Sequence, residues 1–193
     1  HTFGYDASRL TCGEGLVSIT TSNRFTISGC FDRLRGKNLR AAFYEVNGSA
    51  RDVLKLGQVD TVNPGKGEVR VRLRTSGVNP SDVKTRAGLI MKMPYPRVIP
   101  HSDGAGEIDV VGEGVEKSRI GQRVWIWNAQ WMRPFGSAAE YVVLPAGQAV
   151  PLPDHIGFDA GACLGIPALT AYHAVTLDGP LRGQTILISG GAG

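Results

Sequence analysis

The end of the chain carries its most explicit chemical signal. Gly190-Gly191-Ala192-Gly193 follows directly on the apolar run Gln184-Thr185-Ile186-Leu187-Ile188-Ser189. An apolar strand feeding a glycine-rich turn is how a phosphate-binding βαβ unit opens. The glycines permit the tight turn and let backbone N–H groups approach a pyrophosphate, which rests on the N-terminus of the next helix. Gly190, Gly191 and Gly193 are therefore expected cofactor-binding positions, with an ordinary glycine-rich loop as the competing reading. Upstream, Asn79-Pro80-Ser81-Asp82 places an amide and a carboxylate three residues apart, where Asp82 either caps a short helix from Ser81 or acts on its neighbours. His101-Ser102-Asp103 gathers an imidazole, a hydroxyl and a carboxylate, although a single loop histidine is more often a satisfied structural group. Trp125, Trp127 and Trp131 lie close to Asn128 and Met132. The first two are expected in the core; Trp131, with Asn128, is the better wall for a flat ligand. Cys12, Cys30 and Cys163 form no Cys-x-x-Cys pair and are odd in number, which excludes a zinc ribbon and points to a reducing, cytoplasmic setting. Cys163 reads as a buried small hydrophobe.

The elements that must position these groups are mostly strands. Ala41–Val46 and Val53–Val59 read as two strands joined through Asn47-Gly48. Glu68-Val69-Arg70-Val71-Arg72-Leu73-Arg74 alternates strictly, so Val69, Val71 and Leu73 share a buried face. Further strands are expected at Gly106–Val111, Gln122–Trp127 and Ala139–Leu144, with glycine or proline between them, and together these imply a barrel-like core. Beyond Pro153 the texture becomes helical: Phe158–Leu164 and Ala168–Leu177 are separated by Gly165-Ile166-Pro167, because proline breaks a helix interior. The last expected strand is Gln184–Ser189. Residues 1–38 show no clear period and read as a leader, disordered or non-native, without assigned function. The chain starts on His1 and stops on Gly193 inside a loop, so both ends read as truncated.

Composition narrows the function classes. With 42% hydrophobic and 20% charged residues the chain is an ordinary globular sequence able to bury a core. No apolar run approaches the roughly 18 residues of a membrane span. A net charge of +4 and a pI near 9.1 suit an anionic ligand. The basic residues are scattered singly, however, which argues against nucleic acid.

Taken in order, several stretches resemble the medium-chain dehydrogenase/reductase superfamily, specifically its zinc-independent quinone oxidoreductase (zeta-crystallin-like) branch. They are Ser76-Gly77-Val78-Asn79-Pro80-Ser81-Asp82-Val83-Lys84, Pro100-His101-Ser102-Asp103-Gly104-Ala105-Gly106, Gly121-Gln122-Arg123-Val124, Ala138-Ala139-Glu140-Tyr141, Leu164–Tyr172 and Ile186–Gly193. The resemblance implies a mainly β, GroES-like catalytic domain at 39–160. A helical linker with the first strand and glycine turn of a Rossmann domain follows at 161–193. Substrate and nicotinamide would share the cleft between the two domains, with hydride passing from NADPH to a quinone. Asn79 and Asp82 become the expected catalytic residues, Lys84 and Thr170 cofactor contacts, and Ser102, Asp103, Asn128 and Trp131 the substrate pocket. Lys84 stands where many relatives carry a tyrosine, and a solvated lysine is its plain alternative; Thr170 is alternatively a helical threonine bonded to an upstream carbonyl.

The resemblance also bears on metal. Alcohol dehydrogenase relatives hold catalytic zinc with Cys, His and Cys; the corresponding positions here are Asn79 or a neighbour, Ser102 and Ile166, which make no thiolate–imidazole site. A quinone is already electrophilic, so hydride transfer to it needs positioning and a hydrogen bond more than a Lewis acid. Two other readings share the same residues: an NADPH-dependent enone (alkenal) reductase, and a non-catalytic crystallin-like NADPH-binding protein. A homodimer formed through the Rossmann half is expected. The chain as it stands is expected to be inactive, with Thr185–Ser189 an exposed, aggregation-prone strand.

Overall fold

The computed structural model describes residues 38–177, 179 and 181–189; Gly190, Gly191 and Gly193 lie outside the described residues, as does the leader up to residue 37. The alternating segment forms the longest strand, β3 (Glu68–Gly77), and Val69 and Val71 are fully buried, as their spacing requires. Around it, β4 (Asp103–Val111), β5 (Arg123–Ile126), β6 (Tyr141–Pro145) and β7 (Ala149–Pro151) assemble an antiparallel sheet in the order β6-β3-β4-β5-β7. Val69 and Val71 pair with Leu144 and Val142 of β6. Their side chains meet Ile108, Val124 and Ile126 in one apolar core. Gly106 is where β4 crosses tightly over β3: a Cβ there would collide with the Arg72 carbonyl. The register along this pair shifts twice, between Arg70 and Val71 and between Leu73 and Thr75, which bends the sheet towards closure.

A second, two-stranded sheet joins β1 (Asn38–Phe43) to β2 (Lys55–Asp60), antiparallel from Asn38↔Asp60 to Phe43↔Lys55. The expected pair is present but displaced, because a helical turn, α1 (Ala50–Val53), occupies the link and Val53 packs inward against Tyr44 and Val98. Bridges Ala41↔Ala139 and Tyr44↔Val98 tie this hairpin to the segments that lead into β6 and β4, and Ile99↔Phe135 joins those two segments.

Helix α2 (Pro80–Arg86) follows β3, with proline at its first turn, where the missing N–H costs nothing. After β7 come α3 (Phe158–Gly161), a π-type segment at Leu164–Ala168 containing Pro167, and α4 (Leu169–Thr176). The expected break at Gly165-Ile166-Pro167 is thus a kink between short helices. Residues Gly161 and Ala162 remain packed on Leu152 and Ala105, whereas α4 buries no residue. The strand expected at Gln184–Ser189 is not formed: those residues are exposed and belong to no ladder among the described residues, and a segment outside a ladder gains little from the strand conformation. Among the described residues no helix is long and apolar enough to cross a membrane.

Candidate functional site

The end of β3 delivers Asn79 to the N-terminus of α2. Asn79 and Asp82 form a capping box there, the Asp82 carboxylate accepting the Asn79 backbone N–H at 2.7 Å. The amide of Asn79 turns the other way and donates from Nδ2 to Asp103 Oδ2 at 2.9 Å. The same carboxylate oxygen accepts the backbone N–H of Ile166 at 2.8 Å. One buried carboxylate, 0% exposed at the start of β4, thereby ties β3, α2 and the π segment together. Its Oδ1 is buried without a partner, as is the hydroxyl of Ser81. Gly165 is required opposite it: its backbone (φ −69°, ψ −112°) leaves the helical region, and a Cβ would collide with the Asp103 carboxylate.

Burial pushes both carboxyl groups upward. For Asp82, desolvation outweighs the hydrogen bonds from Asn79 that favour its charge. For Asp103, desolvation again leads, the bonds from Asn79 and Ile166 oppose it, and the nearby Asp82 charge adds to the rise.

A second polar chain runs from the backbone of the same residue. Ser137 Oγ donates to the Asp103 carbonyl at 2.5 Å, Ser76 Oγ lies 3.0 Å from Ser137 Oγ, and His101 Nδ1 lies 2.9 Å from Ser76 Oγ. His101 holds φ at +77°, uncommon for a side-chain-bearing residue. Its pKa is lowered, first by burial and then by the positive charge of Arg86.

The structure gathers some of the expected site residues and disperses others. Asn79, Asp82 and Asp103 converge. Asp103, expected in the substrate pocket, is a fully buried strut whose Oδ2 accepts from Asn79 and Ile166. Ser102 is likewise buried, its carbonyl accepting the Ala129 N–H at 2.9 Å. That bond sets Ser102 beside the turn holding Asn128 and Trp131, in which the Asn128 carbonyl accepts the Trp131 N–H at 3.2 Å. Trp131 is 58% exposed on that turn, and Trp125 packs against the Leu152 cluster. Lys84 and Thr170 are exposed, on α2 and on the first turn of α4, and their side chains make no hydrogen bond or ion pair among the described residues. Cys163 is exposed and not buried as expected, because it sits at the turn leaving α3, off the apolar patch of Ala105, Leu152 and Ala162. Sequence reasoning missed Ser76, Ser137 and Arg86. Ser76 and Ser137 each stand at the edge of a recognised stretch, but only tertiary pairing joins them. Among the described residues no three or more His, Cys, Asp or Glu side chains cluster to hold a metal.

Residues 65–154 match the family described as the alcohol dehydrogenase GroES-like domain. The chain is 35% identical over 131 residues to the synaptic vesicle membrane protein VAT-1 homolog of Rattus norvegicus, covering 67% of this chain and 31% of that protein. It is 33% identical over 161 residues to the quinone oxidoreductase of Rattus norvegicus, covering 82% of this chain and 47% of that protein. The solved quinone oxidoreductase of Pseudomonas syringae superposes with a TM-score of 0.66 at 26% identity, covering 73% of this chain and 42% of that one. The chain therefore spans less than half the length of these relatives.

Proposed function

The chain belongs to the quinone oxidoreductase-like branch of the medium-chain dehydrogenase/reductase superfamily, and from that premise we propose that it forms part of an NADPH-dependent quinone reductase that works without zinc. The observation that carries the zinc-free reading is the convergence of Asn79 Nδ2 and Ile166 N–H on Asp103 Oδ2. The resemblance puts Asn79 or a neighbour, Ser102 and Ile166 where zinc-using relatives hold their metal. In this chain two of those positions are joined instead by an amide–carboxylate clamp, and Asn, Ser and Ile supply no thiolate or imidazole.

In this reading Asn79 is the group that meets the substrate. A side-chain amide has two N–H donors, and one is held by Asp103; the other would donate to the acceptor's carbonyl oxygen as negative charge develops there. Asp82 acts through Asn79 as a positioning residue, fixing the start of α2. NADPH, when bound, supplies the hydride. The residues that would hold it are Lys84 and Thr170, together with Gly190, Gly191 and Gly193. An exposed ammonium without an ion-pair partner among the described residues and an exposed hydroxyl are the donor types a phosphate and a ribose accept from, so the described part of that set fits the cofactor.

The test is NADPH oxidation by the natural full-length protein, with and without a simple quinone, after exhaustive chelation. Quinone-dependent oxidation that survives chelation and falls about 100-fold in Asn79→Ala is the expected result, the loss typical of a missing oxyanion donor. Oxidation abolished by the chelator and restored by zinc would overturn the reading.

A further inference from the structure

The Asp103 carbonyl anchors a chain of hydrogen bonds that the Asn79 clamp leaves unused, and the direction of each bond is fixed by counting protons. A carbonyl only accepts, so the single hydroxyl proton of Ser137 is committed to Asp103. The contact between Ser137 and Ser76 must then use the proton of Ser76. That leaves Ser76 Oγ as an acceptor towards His101, so the proton on the imidazole sits on Nδ1. Nε2 consequently carries the ring's lone pair, and it makes no hydrogen bond among the described residues. Burial and the Arg86 guanidinium on α2 both disfavour the imidazolium, which keeps that lone pair free at neutral pH. The ring is held by a backbone at φ +77°, the kind of local strain that gathers at ligand sites.

His101, Ser76 and Ser137 line an open groove of about 660 Å³ between β2 and the end of β3. Leu56, Gly57 and Ala138 make much of its surface apolar, and Arg40, paired with Glu140 at 2.9 Å, stands at its rim. The volume is that of a small-molecule site, and a mainly apolar groove into whose lining the Nε2 lone pair is set fits a flat, largely apolar ligand bearing a hydroxyl donor.

We propose that this groove binds a phenolic ligand, a hydroquinone, whose hydroxyl donates to Nε2 of His101. The choice of a hydroquinone, the product of quinone reduction, rests on the function proposed above; the acceptor character of Nε2 does not. His101 and Ser76 are thus specificity-determining residues: one makes the contact, the other fixes the tautomer.

Nitrogen–proton spectra of the protein labelled at histidine test this directly, with hydroquinone and its dimethyl ether as probes under anaerobic conditions and no NADPH present. The His101 ring is expected to report the Nδ1–H tautomer. Hydroquinone is expected to shift its Nε2 signal in a saturable way and to bind at least fivefold tighter than the ether. Ser76→Ala is expected to move the ring signals towards a mixed tautomer and to weaken hydroquinone about fivefold, the scale of one hydrogen bond. His101→Asn, tolerant of a positive φ, is expected to lose the preference for hydroquinone while keeping the remaining spectrum. An Nε2–H tautomer in the unmodified protein, equal binding of the two probes, or unchanged hydroquinone affinity in Ser76→Ala would each overturn the proposal. No turnover is measured, so quinone-dependent NADPH oxidation stands or falls separately.

Discussion

Two regions of the molecule carry apolar sequence and treat it in opposite ways. In the sheet, Val69, Val71, Val124, Ile126 and Leu144 are all fully buried. In the tract after the π segment, Leu169, Tyr172 and Leu177 on and beyond α4 are exposed, as are Ile186, Leu187 and Ile188. The difference is pairing. Each strand of the sheet has neighbours that satisfy its backbone and cover its side chains, while Ile186–Ile188 has none among the described residues. Apolar composition therefore states what a segment would bury, and only long-range partners decide whether it does.

The largest expected effect sharpens that contrast within the sheet. Leu144→Ala removes a fully buried side chain from the core it shares with Val69 and Ile108 and should cost about 3 kcal/mol, read as a lower urea midpoint. A loss below about 1 kcal/mol would mean that the sheet is no better packed than the tract after it.

Next in size is the junction between the two regions, which hangs on Asp103. Asp103→Ala leaves the Asn79 amide and the Ile166 N–H unpaired in a buried setting and should cost about 2 kcal/mol of stability. Gly165→Ala should cost a comparable amount through its collision with the same carboxylate. Equilibrium unfolding measures both. If Asp103→Ala unfolds like the unmodified protein, the strut carries no load and α4 is held by something else.

A smaller effect concerns pH. The folded pKa values of Asp82 and Asp103 are raised by burial, so the folded state binds their protons more tightly than the unfolded chain does. The stability they contribute is complete below the ordinary carboxylate range and is lost as pH rises through their raised folded values. Glu45 and Glu140, lowered by their arginine and lysine partners, act in the opposite sense but are exposed and screened. Unfolding followed from acid to neutral pH should therefore show a downward component in the unmodified protein that is reduced in Asp103→Asn. A profile identical in the two proteins would assign the effect elsewhere.

Local pattern was enough for much of this architecture. The alternation in Glu68–Arg74 located β3 and its buried face, and Pro167 located the break between helical pieces. It also allowed for Asp82 as a helix cap, because a capping amide and carboxylate three residues apart are a short-range signature, whereas a catalytic role for Asn79 and Asp82 came from the family resemblance alone. The strut formed by Asp103 was not legible for the opposite reason. Its burial depends on the absent side chain of Gly165 and on an N–H from Ile166, contacts that no window along the chain contains. The His101–Ser76–Ser137 chain was invisible on the same account: three separate segments meet only because β3, β4 and the loop before β6 fold together.

The smallest expected effect bears on the exposed tract itself. Leu187 is 95% exposed, so Leu187→Ala removes no packed side chain and should change the unfolding free energy by less than about 0.5 kcal/mol. Set beside Leu144→Ala, the same chemical change at two leucines then measures what neighbours add. The relatives extend well past the length of this chain, so the comparison has a second arm in the natural full-length protein. If Ile186–Ile188 gains strand partners there, as the resemblance to a phosphate-binding βαβ unit implies, Leu187→Ala should rise to the cost of a core truncation, about 2–3 kcal/mol. A near-zero cost in both forms would show that this segment is never part of a sheet, and the glycine turn after it would lose the strand that is meant to aim it at a pyrophosphate.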